Sequence, residues 1–173
     1  MSVKKLAVAC LIFASCSGAE QVRERKFVDI HGYVSDEIKH LEKQKVSVNK
    51  TVSRNGVSES KKNFSPDWNT ELTLFSDSDI NKPAWRDSYR VDSDSNQTSY
   101  TALDNKLRTR SILIKKNNSG KITELAIVNR TSNYLYSSSE ELLYIPDSLY
   151  RIIKKQDVIL LGKNNYEISG FFQ

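Results

Sequence analysis

Turn residues interrupt the second half of the chain at short intervals, and this spacing limits the possible folds more than any other feature. From Trp85 onward the segments between turns are short and rich in β-forming residues, as in LRTRSILIKK, ITELAIVNR and VILLGK. Short strand-like segments separated by regular turns indicate an antiparallel meander. The predicted turns are Asp94-Ser95-Asn96, 117–120, Pro146-Asp147, Gln156-Asp157 and 162–165.

The residues before Trp85 predict two helices and one hairpin. Apolar residues three and four apart predict an amphipathic helix; they are Phe27, Ile30, Val34, Ile38 and Leu41. Asn55-Gly56 lies between two strand-like runs and predicts a tight hairpin turn. Ser65-Pro66-Asp67 predicts a second helix, with Ser65 as N-cap and Trp68, Leu72 and Phe75 on one face. We therefore expect an α+β fold, in which an N-terminal amphipathic helix and a second short helix pack on a curved antiparallel β-meander.

The first residues have the pattern of a secretory signal. Lys4 and Lys5 precede an apolar run at 6–14, and small residues surround Cys16. A membrane-spanning helix needs about 20 apolar residues, roughly twice the length of this run. Both cysteines of the chain, Cys10 and Cys16, lie in this stretch. We therefore expect no disulfide and no cysteine-ligated metal in the rest of the chain.

Phe13-Ala14-Ser15-Cys16 resembles the lipobox of bacterial lipoproteins, although Phe13 stands where that motif usually has leucine. In that family the cysteine is acylated and the signal is cut before it. The resemblance implies a lipoprotein signal peptide at 1–15, a lipidated tether at 16–25 and a single α+β domain at 26–173. A rival box ends at Cys10, but it would leave very little apolar run before the cut. A plain secretory signal with a spare cysteine remains an alternative.

The charge pattern argues against nucleic acid as a partner. The formal net charge is +5, with basic and acidic residues interspersed, as in Arg23-Glu24-Arg25-Lys26. A nucleic-acid binder shows a basic stripe, which is absent from this sequence. Hydrophobic residues at 38% and charged residues at 27% suit a globular domain.

Two acidic segments partly match a calcium loop. Asp77, Asp79 and Asn81 have the required one-three-five spacing, but Lys82 and Ser88 replace the glycine and glutamate of a complete EF-hand loop. The segment at 92–96 repeats the partial pattern. We expect turns at both places. His31 and His40 are nine residues apart on the first helix, a spacing that places them on opposite sides. We expect no metal site and no cofactor.

Aromatic residues are the candidate binding groups. Trp85 and Tyr89 follow Pro83 and would line a pocket if they stack beside it, and Trp68 is a third candidate contact. The alternative is that these rings fill the space between sheet and helices, which large rings do efficiently. The sequence has no GxSxG motif and no glycine-rich phosphate loop. We therefore name no catalytic residue.

Three segments, SDINKPAWRDSY, LRTRSILI and YIPDSLYRI, follow the lipobox and the N-terminal helix in this order. This arrangement resembles a family of small lipoproteins from Bacteroidetes-type bacteria. The resemblance covers most of the domain. It implies a lipid anchor and no catalytic residues.

We therefore expect a lipid-anchored envelope protein that acts as a non-enzymatic binding or envelope-support module. The expected ligand is apolar, such as an acyl chain between sheet and helix, and the membrane is reached through the lipid on Cys16. The expected location is the outer membrane, facing the periplasm, because Ser17 is not the aspartate that retains some lipoproteins at the inner membrane. Two alternatives are a hydrolase with a carboxylate cleft and a subunit that recognises a partner protein in an outer-membrane complex.

Overall fold

The computed structural model describes residues 26–173. The predicted signal peptide and tether, with Cys10 and Cys16, lie outside the described residues. The described helices are α1 (Ile30–Gln44), α2 (Trp68–Glu71) and α3 (Thr73–Ser76), with a 3-10 turn at Pro83–Trp85. The strands are β1 (Val48–Arg54), β2 (Val57–Phe64), β3 (Tyr89–Ser93), β4 (Gln97–Ala102), β5 (Thr109–Lys116), β6 (Ile122–Ser132), β7 (Tyr136–Ile145), β8 (Leu149–Val158) and β9 (Gly162–Phe172).

The strands form one antiparallel sheet with the order β2-β1-β9-β8-β7-β6-β5-β4-β3. Strands β3 to β9 follow one another in chain order, as the spacing of turns predicts. The predicted hairpin at Asn55-Gly56 is also present and joins β1 to β2. Strand β1 pairs with the last strand, β9, so that Val48 lies opposite Phe172 and Arg54 opposite Tyr166. The first and last strands of the chain are therefore neighbours in the sheet.

Helix α1 follows the predicted apolar spacing. Ile30, Val34, Ile38 and Leu41 are buried, and Phe27 is buried just before the helix. Asp29 is the N-cap, and its Oδ1 accepts a hydrogen bond from the Gly32 N–H at 2.9 Å. Such a bond satisfies one of the four free N–H groups at a helix start. The apolar face of α1 packs into one hydrophobic core with the sheet.

The second predicted helix consists of two single turns, α2 and α3. Its N-cap is Asp67 rather than Ser65. The Asp67 carboxylate accepts from both the Asn69 N–H at 3.1 Å and the Thr70 hydroxyl at 2.8 Å, so it satisfies two donors at once. Trp68, Leu72 and Phe75 are buried as predicted.

Two buried tyrosines of the sheet are hydrogen-bonded to the helices. The Tyr144 hydroxyl donates to Glu37 Oε2 of α1 at 2.8 Å, and the Tyr150 hydroxyl donates to Glu71 Oε1 of α2 at 2.6 Å. Burial and the neighbouring carboxylate raise the pKa of both tyrosines, so both remain donors at neutral pH. The Lys50 ammonium neutralises the Glu71 carboxylate at 2.6 Å. These bonds fix the helices on one face of the sheet.

Two predicted turns are wrong. Gln156-Asp157 lies inside β8, and 162–165 lies inside β9. The predicted strand VILLGK is the tip of the β8–β9 hairpin, where Ile159, Leu160 and Leu161 are 59%, 92% and 79% exposed. The ladder continues to Val158 opposite Gly162, and Gly162 has the positive φ of 75° that tight turns favour. Within 26–173, no helix is long and apolar enough to cross a membrane.

Candidate functional site

The structure separates the three aromatic residues that the sequence suggests as ligand contacts. Trp68 packs edge-on against Tyr150 and Phe172 in the core. Tyr89 is buried at the start of β3, where its hydroxyl donates to the Thr109 carbonyl at 2.9 Å. Trp85 is half-buried in the 3-10 turn, and the Lys82 ammonium lies 4.2 Å from its ring centre. The first two rings therefore belong to the core rather than to a pocket.

The calcium-like segments form turns. Asp79 Oδ1 accepts from the Asn81 backbone and side-chain N–H groups at 3.1 and 3.0 Å. Asp94 Oδ1 accepts from the backbone N–H groups of Asn96 and Gln97 at 2.9 and 2.8 Å. These carboxylates bond their own backbone, as turn-forming aspartates commonly do. Among the residues that the structure describes, no cluster of three His, Cys, Asp or Glu side chains could hold a metal ion.

Side chains fill the space between α1 and the sheet around Tyr144. The small gap there is lined by Tyr33, Val34, Leu72 and Phe75, and it has no room for a water molecule. Protein interiors are usually packed as tightly as this. This part of the interface therefore offers no space for an acyl chain.

The long strands β6 to β9 have a second face, which the helices do not cover. On β6, Leu125, Ile127 and Asn129 point to the helices and are buried, while the residues between them are half-buried. Side chains alternate between the two faces of a strand, so these intervening residues share the other face. We call it the open face. Residues opposite each other in register form rows across it.

Two rows at one end of the open face are polar, and three of their eight residues are basic. The first consists of Arg130, Ser139, Lys155 and Asn165, and the second of Ser132, Ser137, Asp157 and Lys163. Together with Asn105, Lys106 and Arg110 they line a cleft of about 800 Å³. We call it the basic cleft. Its five cations are Lys106, Arg110, Arg130, Lys155 and Lys163, and its single carboxylate is Asp157.

A β-bulge brings Arg110 to the cleft. Thr109 pairs with Asn129 and Ser111 pairs with Val128, so Arg110 is the extra residue between them. Bulges commonly redirect a side chain next to a binding site. One Arg110 guanidinium nitrogen, Nη1, donates to the Asp104 carbonyl at 3.0 Å. The Nε atom is buried and has no acceptor among the described residues.

The cations of the basic cleft have no ionic partners in the described domain. None of the five forms an ion pair with a residue of 26–173. On the helix side of the sheet, by contrast, Arg108 and Lys154 bind the buried Glu140 carboxylate at 2.7 and 3.0 Å. Lys154 is thus neutralised, and its neighbour Lys155, which points to the open face, is not.

An apolar strip continues the basic cleft along the open face. It consists of the half-buried residues Leu113, Ala126, Val128, Leu143 and Ile153, which surround a hollow of about 400 Å³. Glu141, which lies opposite Val128 and Ile153 in register, and Arg151 also line this hollow. Val128 precedes Arg130 by two residues on β6, and Ile153 precedes Lys155 by two residues on β8. Two residues of a strand span about 7 Å, so the strip and the cleft are adjacent.

The basic cleft has the groups that bind an anion. Arginine and lysine donate charge-assisted hydrogen bonds, and the serine hydroxyls of the two rows donate further ones. Acid–base hydrolysis of a glycoside commonly uses two carboxyl groups, but only Asp157 lines the cleft. The cleft therefore offers an anion several cationic and hydroxyl donors beside one carboxylate.

Sequence reasoning missed the basic cleft because its cations come from four separate strands and, for Lys106, from the loop between β4 and β5. The available signal was the alternation of side chains between the two faces of each strand. Arg130 follows the core-facing Asn129 on β6, and Lys155 follows the core-facing Lys154 on β8. Placing these cations in one site requires the register of four strands, which a single sequence does not supply. Comparisons of the chain with protein-family models, with curated proteins and with solved structures found no match.

Proposed function

We propose that the chain is a lipid-anchored, periplasm-facing protein of the outer membrane that acts as a non-enzymatic binding module. Its ligand is an anionic amphiphile, bound on the open face of a curved sheet. The charged head of the ligand lies in the basic cleft, and its apolar chain lies along the apolar strip. The observation that carries the proposal is the cluster of five cations without ionic partners in the described domain.

The charges of the cleft favour an anionic head. Five cations and one carboxylate leave a positive potential in a concave site, which concentrates negative ligands. Arg110 lines the cleft, and its guanidinium group donates charge-assisted hydrogen bonds of the kind that a phosphate or carboxylate oxygen accepts.

The apolar strip favours a chain attached to that head. Its five residues are aliphatic and half-buried, and they begin one row from Arg130 and Lys155. Burial of each CH₂ group of a ligand contributes about 0.8 kcal/mol. A ligand between sheet and helix, as the sequence suggested, has less support because side chains fill that interface around Tyr144.

A pair of soluble amphiphiles tests the ligand class. The core lies between Phe27 and Phe172, so a chain that begins at Ser17 keeps the core and has no cysteine. We expect this chain to bind dodecyl phosphate, below its micelle concentration, more tightly than dodecyl phosphocholine. The double variant Arg130→Gln/Lys155→Gln should weaken binding of dodecyl phosphate at least about tenfold in isothermal titration calorimetry, because it removes two charge-assisted hydrogen bonds.

The matched control is Lys43→Gln/Lys62→Gln, which removes two exposed lysines outside the cleft and should leave the affinity unchanged. Equal affinity for the two amphiphiles would contradict the role of the cations. Equal binding of inorganic phosphate and dodecyl phosphate would contradict the role of the apolar strip.

Metabolic labelling with palmitate tests the anchor. We expect the full chain to incorporate label and to sediment with outer membranes. Cys16→Ser should abolish the label, because the serine hydroxyl cannot replace the acylated sulfur, and Cys10→Ser should retain it. Label that depends on Cys10, or wild-type protein without label, would contradict the proposed anchor.

A further inference from the structure

Two hairpin tips at one end of the sheet carry large apolar side chains into solvent. Tyr134 and Leu135 lie between β6 and β7 and are 89% and 62% exposed. Ile159, Leu160 and Leu161 lie between β8 and β9, and the Ile159 N–H donates to the Leu135 carbonyl at 3.2 Å. The two tips are therefore side by side. We call these five residues the apolar tips.

Folding does not require apolar residues at these positions. Turns favour glycine, proline, asparagine, aspartate and serine, because these residues adopt or stabilise turn conformations. Leu160, at 92% exposed, contributes almost nothing to the core of the domain. Contiguous apolar residues at the surface commonly mark a site of interaction.

Cations lie directly behind the apolar tips. Lys163 is two residues after Leu161, and Lys155 is three residues before Val158, about 10 Å back along β8. Arg130 lies in the same row as Lys155. An apolar end followed by a belt of cations is the arrangement that binds the surface of an anionic bilayer, since the apolar groups enter the interface and the cations meet lipid phosphates.

We infer that the apolar tips insert into the headgroup region of an anionic lipid bilayer and place the mouth of the basic cleft at the level of the lipid phosphates. Tyr134 is the type of residue that prefers the membrane–water interface. This membrane contact goes beyond the proposed ligand, because it uses residues that do not line the cleft.

The start of the described domain is at the same end of the sheet. Lys26 Nζ lies 2.6 Å from Asp87 Oδ1, just before β3, and β3 begins opposite the end of β4. Strands β4, β6 and β8 all run toward the end that carries the apolar tips. Ten residues separate Cys16 from Lys26, and a fully extended segment of this length spans about 35 Å. A lipid on Cys16 would therefore lie no farther than this from Lys26.

A second copy of the chain fits the apolar tips less well than a bilayer. Tip-to-tip association would bring the cations of both copies together, and like charges across an interface are repulsive. An anionic membrane, in contrast, complements both the apolar tips and the cations behind them. Charge complementarity therefore selects the bilayer as the occupant.

Vesicle sedimentation tests this inference with the chain that begins at Ser17, so that the acyl anchor makes no contribution. We expect binding to vesicles of phosphatidylcholine with about 30% phosphatidylglycerol, and much weaker binding to phosphatidylcholine alone. Leu160→Ser/Leu161→Ser should reduce the partition coefficient on the anionic vesicles at least about tenfold, because two apolar side chains no longer enter the interface. Val91→Ser, which removes an exposed apolar residue from β3, should leave binding unchanged.

The same variants separate this inference from the proposed ligand. Leu160→Ser/Leu161→Ser should bind soluble dodecyl phosphate with wild-type affinity, because neither residue lines the basic cleft. Two results would overturn the inference. One is wild-type partitioning by Leu160→Ser/Leu161→Ser. The other is a wild-type dimer that this variant converts to a monomer, with no binding to either kind of vesicle.

Discussion

Glu140 is the buried carboxylate on which several side chains of the helix side converge. It is 6% exposed and accepts from Arg108 at 2.7 Å and from Lys154 at 3.0 Å. Asn129 Nδ2 lies 3.4 Å from the same carboxylate and donates to Ser78 Oγ at 2.9 Å. Ser78 follows α3, so this network joins the helices to β6 and β7. Removal of the Glu140 carboxylate would leave Arg108 and Lys154 without their ionic partner.

The residue-scale prediction concerns Glu140→Gln. Burial alone would raise the pKa of Glu140, but the Lys154 and Arg108 bonds outweigh it and hold the pKa below its ordinary value of 4.5. A carboxyl group whose folded pKa is lowered stabilises the protein above its unfolded pKa, and this contribution is lost as the pH falls through the folded pKa. We expect Glu140→Gln to lower the free energy of unfolding by about 2 to 3 kcal/mol at pH 7. Urea unfolding at a series of pH values measures this loss of free energy.

The difference between wild type and Glu140→Gln should shrink as the pH falls below 4.5, because the unfolded chain takes up a proton there while the folded carboxyl group stays charged down to its lowered pKa. Glu167→Gln is the matched control. Its pair with Arg151 is about half exposed, so we expect a loss below about 1 kcal/mol. A pH-independent loss in Glu140→Gln would show that packing rather than charge carries the effect.

At the scale of elements, local patterns predicted the structure where local forces decide it. The helical spacing of Ile30, Val34, Ile38 and Leu41 predicted α1, since each of these residues is buried on one face. Asn55-Gly56 predicted the β1–β2 hairpin, where both residues have positive φ. The segment VILLGK (158–163) is predicted to be a strand because burial normally explains its apolar residues, but 159–161 form the exposed tip of a hairpin. Apolar residues that contact a binding partner are exposed in the free protein, so an apolar run does not always indicate a buried strand.

The element-scale prediction concerns the start of α1. Glycine inside a helix costs about 1 kcal/mol relative to alanine, so Gly32→Ala would ordinarily stabilise the protein. Here a Cβ on residue 32 would lie 2.1 Å from Asp29 Oδ2 and would displace the capping carboxylate. Loss of an N-cap costs about 1 kcal/mol. We therefore expect Gly32→Ala to leave the free energy of unfolding nearly unchanged.

A double-mutant cycle isolates this conflict. In the Asp29→Ala background the carboxylate is gone, and Gly32→Ala should then stabilise the protein by about 1 kcal/mol. Thermal or urea unfolding of the four proteins measures the coupling. Equal effects of Gly32→Ala in both backgrounds would contradict the steric explanation.

At the scale of the whole molecule, the sheet holds together through contacts that no local pattern reveals. The β1–β9 pairing joins the first and last strands, and it adds the β1–β2 hairpin to the edge of the meander that is formed by β9. The basic cleft has the same origin, because its rows exist only once four strands are in register. Long-range register is what the sequence could not supply, although the meander and α1 were predicted from it.

The sheet is expected to open as one cooperative unit in its centre and to fray at its edges. Strand β2 has an edge position, and seven of its eight residues are exposed, whereas β7 is central and four of its ten residues are buried. Amides with few buried contacts around them exchange through local opening, and core amides exchange through global unfolding. Native-state hydrogen exchange should therefore show the highest protection in β6, β7 and β8 and the lowest in β2.

Gly170→Ala tests this cooperativity. A Cβ on residue 170 would lie 2.2 Å from Cε1 of the buried Tyr150 ring, so the ring must move, at a cost of about 2 kcal/mol. If β6 to β8 open together, their slowest amides should all exchange about 30-fold faster in this variant. Ser169→Ala, one residue earlier and on the open face, should change exchange little. Faster exchange confined to β8 and β9 would instead mean that the centre of the sheet opens in separate parts, because the strain would then act only on the strands that hold Tyr150 and Gly170.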